Sequence, residues 1–213
     1  MIRILSDTST LYSPAQAQKA GFAVVPLSVT IREKSYRELE EISPDELIGL
    51  IDAEHLPTSS QPSAGEIAAL YDQYKGDTII NIAMADGLSG TYASAAAAAK
   101  TCENAENVIV INSRTLCGPH RYLVENAVRM AGAGADADGI VRRTERLADT
   151  AKSFLIPSDF AYLRRGGRLS PLVSYVGQVV RFSPLLTQTP EGARLTLAGV
   201  KRSFLQAAQA AAH

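Results

Sequence analysis

The chain has 213 residues, 46% hydrophobic and 20% charged, with 21 basic against 22 acidic side chains. That length suits one large domain or one and a half ordinary ones, and the near-neutral balance speaks against a nucleic-acid surface or electrostatic capture by an acidic membrane. No apolar run approaches the roughly 18–20 residues of a transmembrane segment, and Asp7 interrupts the short apolar start, so MIRILSDTST does not read as a signal peptide. Cys102 and Cys117 have no recognisable spacing and read as reduced thiols, which suggests a cytoplasmic protein.

Taken in chain order, short apolar runs alternate with helical stretches. IRIL (2–5), FAVVPLSV (22–29), TIINIA (78–83), VIVIN (108–112) and SFLIP (153–157) are continuous apolar segments of strand length. Strands covered on both faces, as in a parallel sheet, look like this. The helices announce their starts. Ser13-Pro14-Ala15-Gln16, Ser43-Pro44-Asp45-Glu46 and Ser63-Ala64-Gly65-Glu66 are capping boxes, two with proline at the first helical position. Gly118-Pro119 is a weaker start, a charged helix covers Ile140–Thr150, and Ser170-Pro171 opens another. The alternation predicts an α/β layered fold. Beyond Ser153 the character changes, and residues 182–200 read as a hairpin about Pro190-Glu191-Gly192. The expected division is a parallel-sheet α/β domain over residues 1–150 and a smaller α/β unit over 151–213.

Three hydroxyl-rich turns adjoin elements of this sheet. In DGLSGTYASAAAAAK (86–100) a turn leads from the TIINIA strand into an alanine-rich helix. It therefore lies at the carboxyl end of a parallel strand, where open α/β sheets bind ligands. Gly87 and Gly90 would let backbone approach a ligand, while Ser89 and Thr91 sit beside the free N–H groups of the helix start. Ser89 or Thr91 either holds an anion there or only caps the helix. Thr58, Ser59 and Ser60 form the second turn, one with more hydroxyls than a cap requires, because Ser63 already caps. Ser6-Asp7-Thr8-Ser9 is the third. A fourth feature, RRGGR (164–168), offers Arg168 for bidentate pairing with a carboxylate or phosphate, or else is a solvated basic turn.

Enzyme signatures fail on spacing. The second glycine of Gly87-Leu88-Ser89-Gly90 comes one residue early for a nucleophile elbow, and there is no H-E-x-x-H, cysteine cluster or Walker loop. No metal or cofactor is expected. None of His55, His120 and His213 has an obvious acidic partner nearby in sequence.

SDTST, VVPLSV, TSSQPS, LSGTYASA and YLRRGGRLS occur in this order across nearly the whole chain. As an ordered set they resemble the DegV family of fatty-acid-binding proteins. The resemblance implies a non-enzymatic carrier that buries an acyl tail between layers and holds the carboxylate with hydroxyls. It also implies a fatty-acid kinase as partner, which makes an acyl phosphate for phospholipid synthesis. Carried over by motif, Ser89 and Ser59 would hold the carboxylate with Arg168 nearby. Thr58 and Ser60 are the neighbours if the register moves by one, and Gly90 and Thr91 complete the turn. Val173, Val176, Val179, Val180, Leu185 and Leu186 are candidates for lining the tail, although core packing is the commoner role of such residues. Family chains carry an H-x-G-P-G motif beyond the Lys201-Arg202 segment, and its histidine completes the head-group site. Without that motif the second unit is expected to be incomplete, with an exposed apolar edge favouring self-association. The rival expectation is an enzyme or phosphotransfer component acting on a small phosphorylated or carboxylated metabolite. Its loop histidine would be His120.

Overall fold

In the computed structural model, residues 1–52, 54–170, 173, 182–189 and 192–212 are described. Four strands form the central parallel sheet: β1 (Ile2–Asp7), β2 (Ala23–Val25), β6 (Thr78–Ala83) and β7 (Val108–Asn112), in the order β2-β1-β6-β7. Because successive side chains on a strand point to opposite faces, the sheet feeds two cores. Ile4, Ile80 and Ile82 face one side, against Ala17 of α1 (Pro14–Lys19), Val124 and Ala127 of α5 (Cys117–Gly132) and Ile140 of α6 (Ala137–Thr150). Leu5, Ile79 and Ala83 face the other, against Ile67 and Tyr71 of α3 (Ala64–Asp72) and Ala95 and Ala98 of α4 (Thr91–Thr101). The alanines of α4 bring that helix close to the sheet, and so fix where its N-terminus lies.

All three capping boxes form: Ser13, Ser43 and Ser63 each accept the backbone N–H three residues on, and the Gln or Glu there reaches back. These boxes start α1, α2 (Pro44–Leu50) and α3. The charged helix starts earlier than expected, because Asp136 caps it by accepting from the Gly139 N–H.

Two other expectations are corrected. FAVVPLSV is two strands, not one. Pro26 follows β2, and the chain turns into β3 (Ser28–Ile31) of a separate antiparallel sheet, order β4-β3-β5. Its other members are β4 (Lys34–Arg37) and β5 (Thr58–Ser60), so the second hydroxyl turn is an edge strand. SFLIP supplies only β8 (Phe154–Leu155), and that strand pairs antiparallel with β9 (Ser183–Gln188) instead of joining the parallel sheet.

Beyond residue 151 the chain also forms α7 (Phe160–Arg165), β10 (Leu195–Lys201) and α8 (Phe204–Ala211), with β10-β9-β8 as the third sheet. The 182–200 hairpin is therefore present, although Pro190 and Glu191 of its tip lie outside the described residues. So do Val176, Val179, Val180, His213 and most of the helix expected after Ser170. A third core joins this part to the carboxyl end of the parallel sheet. In it Met84, Ala85 and Leu88 pack against Leu169, Val173, Leu186 and Leu195. Along β10 and α8, Val200, Phe204 and Leu205 are exposed.

Candidate functional site

The site forms where three loops and a strand edge meet above the parallel sheet. After β6 the chain turns through Met84–Gly90, held by Ala85 N–H to the Thr115 carbonyl at 2.9 Å and by Leu88 and Ser89 N–H to the Ala85 carbonyl at 3.1 Å. The next residue starts α4. No side chain caps that helix at Gly90. Ser89 Oγ pairs with Thr91 Oγ1 at 2.8 Å and receives the Thr91 N–H only at 3.3 Å. The first turn thus keeps donors for an anion, with the positive end of the helix dipole behind them.

Ser59 and Ser60 face this turn from β5. Their hydroxyls make no side-chain hydrogen bond among the described residues, so they remain available to a ligand. Arg168 closes a third side. It lies outside any ion pair among the described residues and is held by backbone alone: Nε donates to the Leu88 carbonyl at 3.2 Å and Nη1 to the Gly166 carbonyl at 2.5 Å. Ser59, Ser60, Gln61, Ser89 and Arg168 together line an open cavity of about 410 Å³. Its floor is Leu27, Met84 and Leu88.

A second cavity of about 470 Å³ adjoins it and shares Ser59, Met84, Leu88 and Arg168 as walls. Leu56, Pro57, Leu116, Leu155, Leu163 and Leu195 also line it, together with Thr58, Tyr162 and Arg165. The Tyr162 hydroxyl donates to the Pro57 carbonyl at 3.1 Å, and partial burial pushes its pKa up. A polar mouth therefore opens beside an apolar chamber. Charged or hydrogen-bonding groups are satisfied in the first, and hydrocarbon in the second.

Of the predicted residues, Ser59, Ser60, Ser89 and Arg168 converge on the mouth and Thr58 lines the chamber. Thr91 is buried behind Ser89 and reaches the site only through it. The role expected for the two glycines is corrected. Protein, not ligand, fills the space beside them: a Cβ on Gly90 would lie 2.0 Å from Gln61 Oε1, and one on Gly87 would lie 2.1 Å from Ala193 Cα. Nor do the expected tail residues line the chamber. Val173, Leu185 and Leu186 are buried core, at 3%, 4% and 0% exposure. The leucines that do line it are scattered over several elements, so no periodicity marks them.

The Ser6–Ser9 cluster stays out of the mouth and fastens its floor instead. Asp7 accepts the Met84 N–H at 2.9 Å and the Ser9 N–H at 3.0 Å. Thr8 accepts the Leu27 N–H at 3.0 Å and donates to Glu38 at 2.8 Å. Burial, and secondarily the charge of Asp7, raise the Glu38 pKa, since Thr8 only partly offsets them. Burial likewise raises the Cys117 thiol, with Glu38 and Asp7 adding to it, which disfavours the thiolate form.

The histidine expectations change as well. His120 is not on a loop but in the first turns of α5, and it is fully buried. Its Nδ1 lies 2.7 Å from Ser9 Oγ, and its Nε2 lies 3.1 Å from Ser6 Oγ and 3.0 Å from the Ile82 carbonyl. An imidazole with both nitrogens engaged and no access to solvent cannot carry a phosphoryl group to a substrate. His55 does have a partner close in sequence, with Nδ1 3.1 Å from Asp52 Oδ1. Backbone N–H groups of His55 and Glu54 hold Asp52 down to about 2.

Among the described residues no helix is long and apolar enough to cross a membrane, and no group of His, Cys, Asp and Glu could hold a metal ion. A family model described as "Uncharacterised protein, DegV family" matches residues 1–213. Protein DegV of Bacillus subtilis is 32% identical over 190 residues, covering 87% of this chain and 67% of that one. A DegV domain-containing protein of Listeria monocytogenes is 33% identical over 189 residues; the match takes in 87% of this chain but only 66% of the relative's length. Among solved structures, a fatty-acid-binding DegV family protein from Thermus thermophilus is similar at a TM-score of 0.86 and 27% identity, covering 98% of this chain and 74% of the other. DegV from Bacillus subtilis, described as a fatty acid binding protein, gives 0.85 and 27%, covering 99% and 75%. With the ordered motifs, the fold and the model match in agreement, this chain belongs to the DegV family.

Proposed function

We propose that the protein binds a fatty acid, with the acyl tail in the leucine-lined chamber and the carboxylate in the mouth between Ser59, Ser60, Ser89 and Arg168. The observation that carries this reading is the adjacency of the two cavities, one polar and one apolar, across the shared walls Ser59, Met84, Leu88 and Arg168. The Thermus and Bacillus relatives, both described as fatty-acid-binding, support it.

The affinities divide accordingly. Each buried methylene contributes about 0.8 kcal/mol, so a long tail supplies roughly 10 kcal/mol before the costs of association. The head group adds orientation, and its burial is tolerable only when it is well hydrogen-bonded. In this reading the protein is a cytoplasmic carrier, not an enzyme, and presents the carboxylate at the open mouth to a fatty-acid kinase. Phosphotransfer through His120 has no support, because that ring is buried and fully engaged. Self-association along the Val200–Leu205 edge belongs to the same reading. A light-scattering mass that stays constant with concentration contradicts it.

Calorimetric titration with hexadecanoic acid tests the head-group assignment. Losing a hydrogen bond to a charged group costs about 1.5–3 kcal/mol, so Ser89→Ala should weaken binding at least tenfold. Unchanged affinity contradicts the role of Ser89.

A further inference from the structure

Gln61 lies in the three-residue connection between β5 and α3, within the TSSQPS motif, and lines the mouth next to Ser60. Its side chain reaches across to α4, where Nε2 donates to Ser94 Oγ at 3.0 Å. Ser94 is buried one turn into the helix. Among the described residues this is the only side-chain hydrogen bond from residues 58–63 to α4. The carbonyl end of the same amide occupies the space beside Gly90. A Cβ there would meet Gln61 Oε1 at 2.0 Å, Cδ at 2.4 Å and Nε2 at 2.5 Å. Gly90 thus leaves room for the Gln61 amide at the start of α4, a position where a serine or aspartate would normally cap.

Two features of the mouth follow from this one contact. No side chain caps the helix at Gly90, and the Thr91 N–H has only the long 3.3 Å contact with Ser89 Oγ. The strand edge bearing Ser59 and Ser60 is tied to the helix turn bearing Ser89. Pro62, the next residue, restricts the Gln61 backbone to extended conformations and stiffens the tie.

We propose that Gln61 is a positioning residue that sets selectivity for a carboxylate over an uncharged head group, by holding the β5 hydroxyls and the α4 N-terminus at the separation two carboxylate oxygens require. The inference rests on the fatty-acid reading. A carboxylate needs donors from both sides of the mouth, whereas an alcohol has one oxygen and is satisfied by either side. Tail binding, which depends on the leucine chamber, is common to both.

The experiment compares hexadecanoic acid with hexadecan-1-ol, by calorimetry on the full chain, for the wild type, Gln61→Ala, Gly90→Ala and the double variant. In Gln61→Ala the Kd for the acid should rise about tenfold while that for the alcohol stays within about twofold. Gly90→Ala should reproduce this loss of selectivity, because its methyl displaces only the end of a flexible side chain and leaves the fold intact. In the double variant the loss should be no greater than in Gln61→Ala alone, since the group that clashes is gone. Equal weakening of acid and alcohol would mean that Gln61 supports the fold alone, and an unchanged Kd for the acid in Gln61→Ala would mean that it does nothing at the site. Either result overturns the inference while leaving the fatty-acid reading intact. A folded wild type that binds neither compound overturns both.

Discussion

Gly87 and Gly90 sit three residues apart in one turn, yet the structure predicts different consequences for placing a methyl on each. At Gly87 the added Cβ would lie 2.1 Å from Ala193 Cα, 2.4 Å from its carbonyl oxygen and 2.5 Å from its carbonyl carbon. Carbon atoms in good contact are about 3.5–4.0 Å apart, so the two segments must separate by about 1.4 Å or more. Ala193 belongs to the tip of the β9–β10 hairpin, and this tip cannot retreat freely. Gly192 donates to the Thr189 carbonyl at 2.7 Å, Thr189 to the Arg194 carbonyl at 2.9 Å, and the Gln188 amide to the Arg114 carbonyl at 2.9 Å. Much of the movement therefore falls on the Asp86–Gly90 turn, which carries Leu88 and Ser89. Overpacking of this kind costs about 1–3 kcal/mol. Gly87→Ala should lower the unfolding free energy by that amount, read as a lower urea midpoint at unchanged slope. It should also weaken hexadecanoic acid binding at least tenfold, because the Leu88 carbonyl that anchors Arg168 moves with the turn. A stability change below about 0.5 kcal/mol together with an unchanged Kd would refute the reasoning.

Tyr71 and Asn81 are both buried, with the Asn81 amide donating to the Tyr71 hydroxyl at 2.6 Å. Tyr71→Phe strands that amide, which should cost about 1–3 kcal/mol in chemical denaturation; a loss below about 0.5 kcal/mol contradicts the assignment. The Glu38 pKa is raised, because the carboxyl is half-buried and lies near Asp7. Its protonated form is thus favoured by folding, and the associated stability is present at acid pH and lost as pH rises through the folded pKa. Glu38→Gln keeps an acceptor for Thr8 and removes the charge. It should raise Tm at pH 7 and much less at pH 4, and an equal change at both pH values would contradict this.

What was legible in the sequence was local. Serine followed by proline and then by glutamate or glutamine predicts the starts of α1 and α2 from neighbouring residues alone, and Ser63 with Glu66 does the same for α3. The apolar runs likewise report the double burial of β1 and β6. The four hydroxyl and guanidinium residues of the mouth were found because each lies in a short motif beside a sheet element. Contacts between distant segments were not legible. The glycines read as openings for a ligand, because nothing near them shows that Gln61 and Ala193 fill the space. His120 read as a loop residue because its partners Ser6 and Ser9 lie more than a hundred positions earlier. The chamber leucines come singly from separate elements, so only the folded chain shows that they share a wall.

Mass spectrometry of the purified protein tests the central claim most directly, first under native conditions and then after denaturation and solvent extraction. The account predicts a stoichiometric adduct that leaves on denaturation and is recovered as a fatty acid, or that forms on incubation with hexadecanoic acid if the protein is isolated empty. A folded protein that carries no adduct and takes up none at excess hexadecanoic acid would contradict it.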